Sequence, residues 1–199
     1  MSDNYQQVKE NFLSGKFKGC RAFFEENNYY TEAGYCYLIL DKIDKAKECF
    51  EKSVKTDIRA HWGLLLIQMI LGKISMVPTY FEVRNFLEID LDIFITYCKG
   101  DLVEKIIKYC DFLAVYNLEC YKFIGRAFWS HGIKTPAMFF LNRAKDKLYN
   151  DPELHYLLAY IYYTEDKEIQ KCRKEIDTCL NILPAYAPAI ALKEKINII

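Results

Sequence analysis

Apolar residues recur three and four apart along almost the whole chain, and short stretches carrying Gly, Asp or Pro interrupt them. That spacing keeps one helical face buried, so it predicts short amphipathic helices joined by tight turns. The pattern is clearest in residues 121–184, where one arrangement is written twice. Tyr121, Ile124, Gly125 and Phe128 are followed by Gly132, Ala137, Leu141 and Ala144. Ala159 lies 34 residues after Gly125, and around it the pattern restarts with His155, Leu158, Ala159 and Tyr162, then Asp166, Cys172, Ile176, Cys179 and Pro184. A bulky residue, a large–small pair and an aromatic mark a first helix. A small residue with a large one four later marks a second helix, and the two form a hairpin.

The same arrangement runs through the rest of the chain. Residues 3–25 place Val8 and Phe12 on a first helix, Gly15 at the turn, and Cys20 and Phe24 on a second helix. The next hairpin reads Tyr30, Ala33, Gly34 and Tyr37, then Asp41, then Ala46 and Phe50, with a charged outer face of Lys47, Glu48, Glu51, Lys52 and Lys55. Its i,i+4 ion pairs describe a solvated surface. The clearest repeats are 30–57, 121–150 and 151–184, and the middle, 60–113, is degenerate. There Trp62, Gly63 and Leu66 supply a core and Gly72 ends the helix. Pro78 opens a further helix to about Leu87, with Phe81, Phe86 and Leu87 inward. Ile93, Phe94 and Tyr97 open the fourth repeat, closed at Gly100. Asp101 and Glu104 predict a capping box for a helix 102–110, and Thr135-Pro136 a cap and first helical residue. The acidic trio Glu88, Asp90 and Asp92 reads as helix N-terminal charge rather than a catalytic carboxylate pair. Small residues or their substitutes fall at Val8, Gly34, Gly63, Phe94, Gly125 and Ala159. Turn residues fall at Gly15, Asp41, Gly72, Gly100, Gly132 and Asp166, mostly seven further on. Seven of the eight glycines are thereby explained by packing or turns, leaving Gly19.

This arrangement resembles the tetratricopeptide repeat. The resemblance implies an all-α fold, a right-handed superhelix of about six hairpins in a single domain, residues 1–199, with a C-terminal capping helix at 187–199. It further implies a concave groove lined by the first helices, at positions one, five and eight after each bulky first site. These are Thr31, Tyr35 and Leu38; Ala60, Leu64 and Ile67; Leu91, Ile95 and Cys98; Lys122, Arg126 and Trp129; and Tyr156, Tyr160 and Tyr163. The peptide-binding residues expected from this register are Tyr35, Lys122, Arg126, Trp129, Tyr156, Tyr160 and Tyr163. Family members that clamp a C-terminal carboxylate use Lys and Asn on successive first helices. Here Tyr35 and Leu64 stand at the matching Asn sites, which speaks against that mode. Lys122 and Arg126 remain as partners for one acidic group.

Composition narrows the function. Lys plus Arg and Asp plus Glu each number 27, so the net charge is zero, unlike a nucleic-acid sleeve or a polybasic membrane patch. No apolar run reaches the ~18 residues of a membrane span, and the N-terminus lacks the order of a secretory signal. The eight cysteines show no C-x-x-C, and Cys20, Cys172 and Cys179 fall on small buried sites, so a reduced, cytoplasmic chain is expected. His61, His131 and His155 are scattered, so no metal and no cofactor are expected. No phosphate-cradling loop or nucleophile motif is present, and His155 occupies a packed first site. These readings describe a non-enzymatic protein–protein interaction scaffold that takes a peptide or helix of another protein. A structural subunit that self-associates through its solenoid ends, and an RNA-binding repeat protein, are the competing readings. For the former, Ile196, Ile198 and Ile199 form an apolar tail that favours a homodimer.

Overall fold

The computed structural model describes residues 2–197, and among them it is all-helical, with no strand. Packing gathers the helices into two compact units, Met1–Asn117 and Leu118–Ile199.

The first unit opens with α1 (Ser2–Leu13), α2 (Phe17–Glu26), α3 (Tyr30–Ile39) and α4 (Ile43–Ser53). In α4, Ala46, Cys49 and Phe50 are buried, whereas the Lys47–Glu51 side is solvated and carries a 3.7 Å ion pair. A close glycine contact sets the helix spacing. Cβ atoms added at Gly34 of α3 and at Gly63 of the following helix would lie 2.5 and 2.6 Å from the Phe50 ring, so that ring fills the space both glycines leave. α5 (Ile58–Leu71) starts at Asp57, whose carboxylate accepts from the Arg59 N–H, and ends at Gly72 with φ 73°. Left-handed residues also close helices at Gly15, Asp41 and Gly132.

The degenerate middle departs from the sequence reading. α6 (Tyr80–Thr96) is one uninterrupted 17-residue helix, so no turn separates Leu87 from Ile93. It starts at Thr79 in a capping box with Glu82, leaving Pro78 just outside the helix. Phe86 is half-buried and Leu87 buried, but Phe81 is 65% exposed, because it lies on the outer side of that first turn. α7 (Gly100–Ile107) and α8 (Cys110–Tyr116) follow. The N-cap of α7 is Lys99, with no side-chain cap, so Asp101 and Glu104 form no capping box there. The left-handed residue is Cys98 (φ 56°) rather than Gly100, which opens α7 instead.

The second unit holds α9 (Cys120–Ser130), α10 (Lys134–Lys147), α11 (Pro152–Ile161), α12 (Ile169–Ile182) and α13 (Ala187–Asn197). A Cβ at Gly125 would lie 2.7 Å from Leu141 Cγ and 3.1 Å from its backbone nitrogen, so α9 and α10 touch almost backbone to backbone. Thr135 and Pro136 lie inside the first turn of α10, whose N-cap is Ile133. Proline is harmless there because the first N–H groups of a helix have no intrahelical partner. α11 runs on into a π-helical turn, Tyr162–Asp166, which ends at Lys167 with φ 51°. The left-handed residue is therefore Lys167, not Asp166. α13 packs on α12 and α11 through Ala189, Leu192 and Ile196. Ile196 is thus buried within its own unit, while Ile198 and Ile199 lie outside the described residues. All eight cysteines are free thiols, with Cys98 exposed. Burial pushes the thiols of Cys20, Cys172 and Cys179 up, the reverse of a reactive thiolate.

Candidate functional site

Six of the seven expected binding residues lie in the second unit, on α9, α11 and the π turn. Asp151 caps α11 by accepting from the Leu154 N–H, and Pro152 occupies the first turn. Leu154, Leu158, Ala159 and Ile161 then bury one side of the helix completely. Tyr156 and Tyr160 fall on its other side and stand 6.2 Å apart. Tyr186, in the segment leading to α13, meets the Tyr156 ring edge-on at 5.5 Å. Tyr160 is 42% exposed, and Tyr156, Tyr163, Tyr186 and Trp129 are half-buried. The π turn starts at Tyr162, directly after this stripe. Such turns often occur at functional positions because they offset the side chains that follow from the regular helical register.

The two basic residues are placed differently from the expectation. Lys122 is 4% exposed, and its ammonium meets Asp151 at 2.6 Å, Glu119 at 3.0 Å and Glu153 at 3.4 Å. Burial opposes its charge, but Asp151 and Glu119 more than offset this and hold the ammonium above its ordinary pKa. Arg126 Nη1 meets Glu153 Oε1 at 2.8 Å. Both cations therefore join acidic residues that frame the start of α11 instead of offering an open anion site. Nearby, His155 is a packed ring, 5% exposed, with Nδ1 2.6 Å from Glu175 Oε2 and Nε2 3.1 Å from the Tyr149 carbonyl. Two acceptors around one imidazole favour the doubly protonated ring. The Glu175 bond, against the opposing effect of burial, raises the His155 pKa. Lys145 meets Glu175 at 2.8 Å from the other side.

Tyr35 lies in the first unit and is 5% exposed. Thr31, Leu38, Ala60, Ile67 and Leu91 are buried with it, so these positions that the repeat pattern assigns to a groove lie in the core, where a residue of α6 meets Tyr35. The contact centres on Asp90, whose Oδ2 accepts from Tyr35 Oη at 3.1 Å and from Trp62 Nε1 at 2.6 Å. Its other oxygen is paired with Arg59 Nη2. Asp90 is therefore a mid-helix core anion and not a helix N-terminal charge. Burial pushes its carboxyl up, but three donors and no acceptor facing it identify the ionised form. The Arg59 guanidinium stacks between the rings of Tyr35 and Phe86, at 4.5 and 4.4 Å from their centroids. Farther along, Tyr97 Oη reaches the Leu13 carbonyl at 2.6 Å and Lys99 reaches Asp41 at 2.6 Å. The sequence reading missed Tyr186, Arg59 and this Asp90 hub. An acidic residue among apolar positions in residues 86–94 is the signal that marks Asp90.

Residues 28–57, which contain α3 and α4, match the tetratricopeptide repeat model. One hairpin of this all-helical chain, α3 with α4, thus matches a tetratricopeptide repeat. No curated protein matches the sequence. Among solved structures, YrrB, described as a TPR protein with an unusual peptide-binding site, shares 14% identity over 94% of this chain and 88% of its own, with a TM-score of 0.42. The C-terminal part of a TPR repeat-containing protein from Cytophaga hutchinsonii shares 17% identity over 96% and 72%, with a TM-score of 0.42. Among the described residues, no helix is long and apolar enough to cross a membrane, and no group of acidic, His and Cys side chains is placed to hold a metal.

Proposed function

We propose that the protein is a binding module rather than an enzyme, and that it takes a peptide or helical segment of another protein on the aromatic face of its second unit. The carrying observation is the array of Tyr156, Tyr160 and Tyr186 rings, held at 5.5–6.2 Å while Tyr160 remains 42% exposed. The core sites of α11 are already filled by Leu154, Leu158, Ala159 and Ile161, so these tyrosines are not needed to close it. Tyr and Trp offer large, rigid contact area at low entropic cost, and one partner segment laid on them recruits Trp129 and Tyr163 at the margins. Arg126 and Lys122 serve this face indirectly, by tying Glu153 and Asp151 at the start of α11. Tyr35 belongs to the core of the first unit and is not part of the contact.

The test is capture of partners by the wild-type chain beside a Trp129→Ala/Tyr160→Ala variant of matched thermal stability. Loss of a specific partner from the variant, and its recovery with Tyr160→Phe, supports the reading. Identical captures by both proteins overturn it.

A further inference from the structure

A cavity of about 380 Å³ opens in the first unit, bounded by α1, α3, the start of α5 and Ile93 of α6. This is near the lower end of ligand-pocket volumes, a size suited to a small metabolite. Much of the lining is apolar or aromatic, with Phe12 and Phe24 beside the rings of Tyr5 and Tyr35. The rest carries both signs of charge, Glu32 and Asp57 with Arg59, and the exposed Lys9 stands among them.

The donors and acceptors of that lining decide what fits. The hydroxyl donors are spent: Tyr5 on Glu32 at 2.7 Å, Thr31 on Asp57 at 2.6 Å, Tyr35 on Asp90 at 3.1 Å. A carboxylate offers about four acceptor positions. The bonds made here use one on Glu32 and two on Asp57, whose other oxygen holds the Arg59 N–H, so both anions keep acceptors in reserve. On the cationic side Asp90 holds Arg59 Nη2, but Nη1 is buried and has no partner. Buried donors are normally paired, so Nη1 calls for an acceptor. A cation in the cavity would leave Nη1 unpaired. An anion would pair it but be repelled by Glu32 and Asp57. An uncharged apolar molecule would cover all three charges and balance none. A zwitterion answers both signs at once. We infer that this cavity binds a free α-amino acid with an apolar side chain. The ligand's carboxylate accepts from Arg59 Nη1, its ammonium donates to Glu32 and Asp57, and its side chain lies against Phe12 and Phe24. A residue inside a peptide carries neither backbone charge and does not fit this site.

The inference is independent of the α11 reading. It is tested by titrating the isotope-labelled full chain with free leucine and free phenylalanine. Glycine, leucinamide, N-acetyl-leucine and leucyl-glycine serve as the comparison ligands. The two free amino acids should give saturable shifts at the amides around Thr31–Tyr35 and Arg59. Leucinamide lacks the carboxylate and N-acetyl-leucine the ammonium, so each should bind at least about tenfold more weakly than leucine. Glycine keeps both charges without the apolar side chain and should also bind more weakly. Glu32→Gln keeps an acceptor for Tyr5 and should weaken leucine binding about tenfold. Tyr160→Ala should change nothing here, so the two sites fail separately. Absence of saturable shifts with leucine and phenylalanine overturns the inference. So does leucinamide or N-acetyl-leucine binding as tightly as leucine. Leucyl-glycine binding as tightly would assign the cavity to a peptide N-terminus and overturn it too.

Discussion

The Phe50 contact yields a prediction with an internal check. A methyl group placed on Gly34 would lie 2.5–2.8 Å from three atoms of the Phe50 ring. The ring cannot withdraw, because Gly63 approaches it from the next helix with a 2.6 Å clearance to its own missing Cβ. Gly34→Ala gains ~0.5–1 kcal/mol of helix propensity. It loses ~1–3 kcal/mol to overpacking, so the net effect is a destabilisation of about 1–2 kcal/mol. Phe50→Leu alone should also destabilise, by about 1–2 kcal/mol, as part of the full truncation cost of a buried ring. Combined, the two changes relieve each other, and the double variant should be more stable than the sum by about 1 kcal/mol. The assay is urea unfolding followed by tryptophan fluorescence. The chain has two tryptophans, Trp62 in the first unit and Trp129 in the second, so a Trp129→Phe background lets Trp62 report on this unit alone. Gly19→Ala serves as the control, since nothing lies within 4 Å of that position and no loss is expected. Gly34→Ala matching wild-type stability, or strictly additive effects in the double variant, would refute the packing argument.

Three further outcomes follow from the buried polar groups and thiols. Asp90→Ala leaves Arg59 without its carboxylate and should cost ~3–5 kcal/mol in the same assay, whereas Tyr35→Phe removes one hydrogen bond and should cost ~1 kcal/mol. His155 is raised above its ordinary 6.5, so its contribution is complete below 6.5 and lost as pH rises through the raised value. Glu175 is pulled below its ordinary 4.5 by His155 and Lys145, against burial, so its contribution holds above 4.5 and is lost as pH falls through the lowered value. The pair should thus support the second unit most fully between 4.5 and 6.5. His155→Gln should flatten the alkaline side of that profile, read by Trp129 fluorescence with Trp62 replaced by Phe. Finally, a water-soluble thiol reagent should label Cys98 in the native protein and the buried cysteines only after unfolding; early labelling of Cys36 would contradict its burial.

The hairpins were legible in the chain because their specification is local. Gly34 with Phe50, and Gly125 with Leu141, are small–large pairs on consecutive helices, so residue volume in one helix states directly what the next must supply. The buried thiols Cys20, Cys172 and Cys179 follow from the same rule. The tyrosine stripe of α11 was legible for a related reason: Tyr156 and Tyr160 lie off the helical face that the core residues occupy. What lay beyond the sequence were relations between distant elements. Periodicity identifies a buried face without identifying its neighbour, so residues 80–96 read as two broken helices when they form a single one. Only the tertiary structure made Asp90 the hydrogen-bond acceptor of the buried Tyr35, 55 residues away. Likewise, nothing local reveals that Lys122 is neutralised by Asp151 and Glu153 from the next hairpin. Charges, unlike methyl groups, act on whichever partner tertiary packing brings within reach, so their roles were decided by the folded structure.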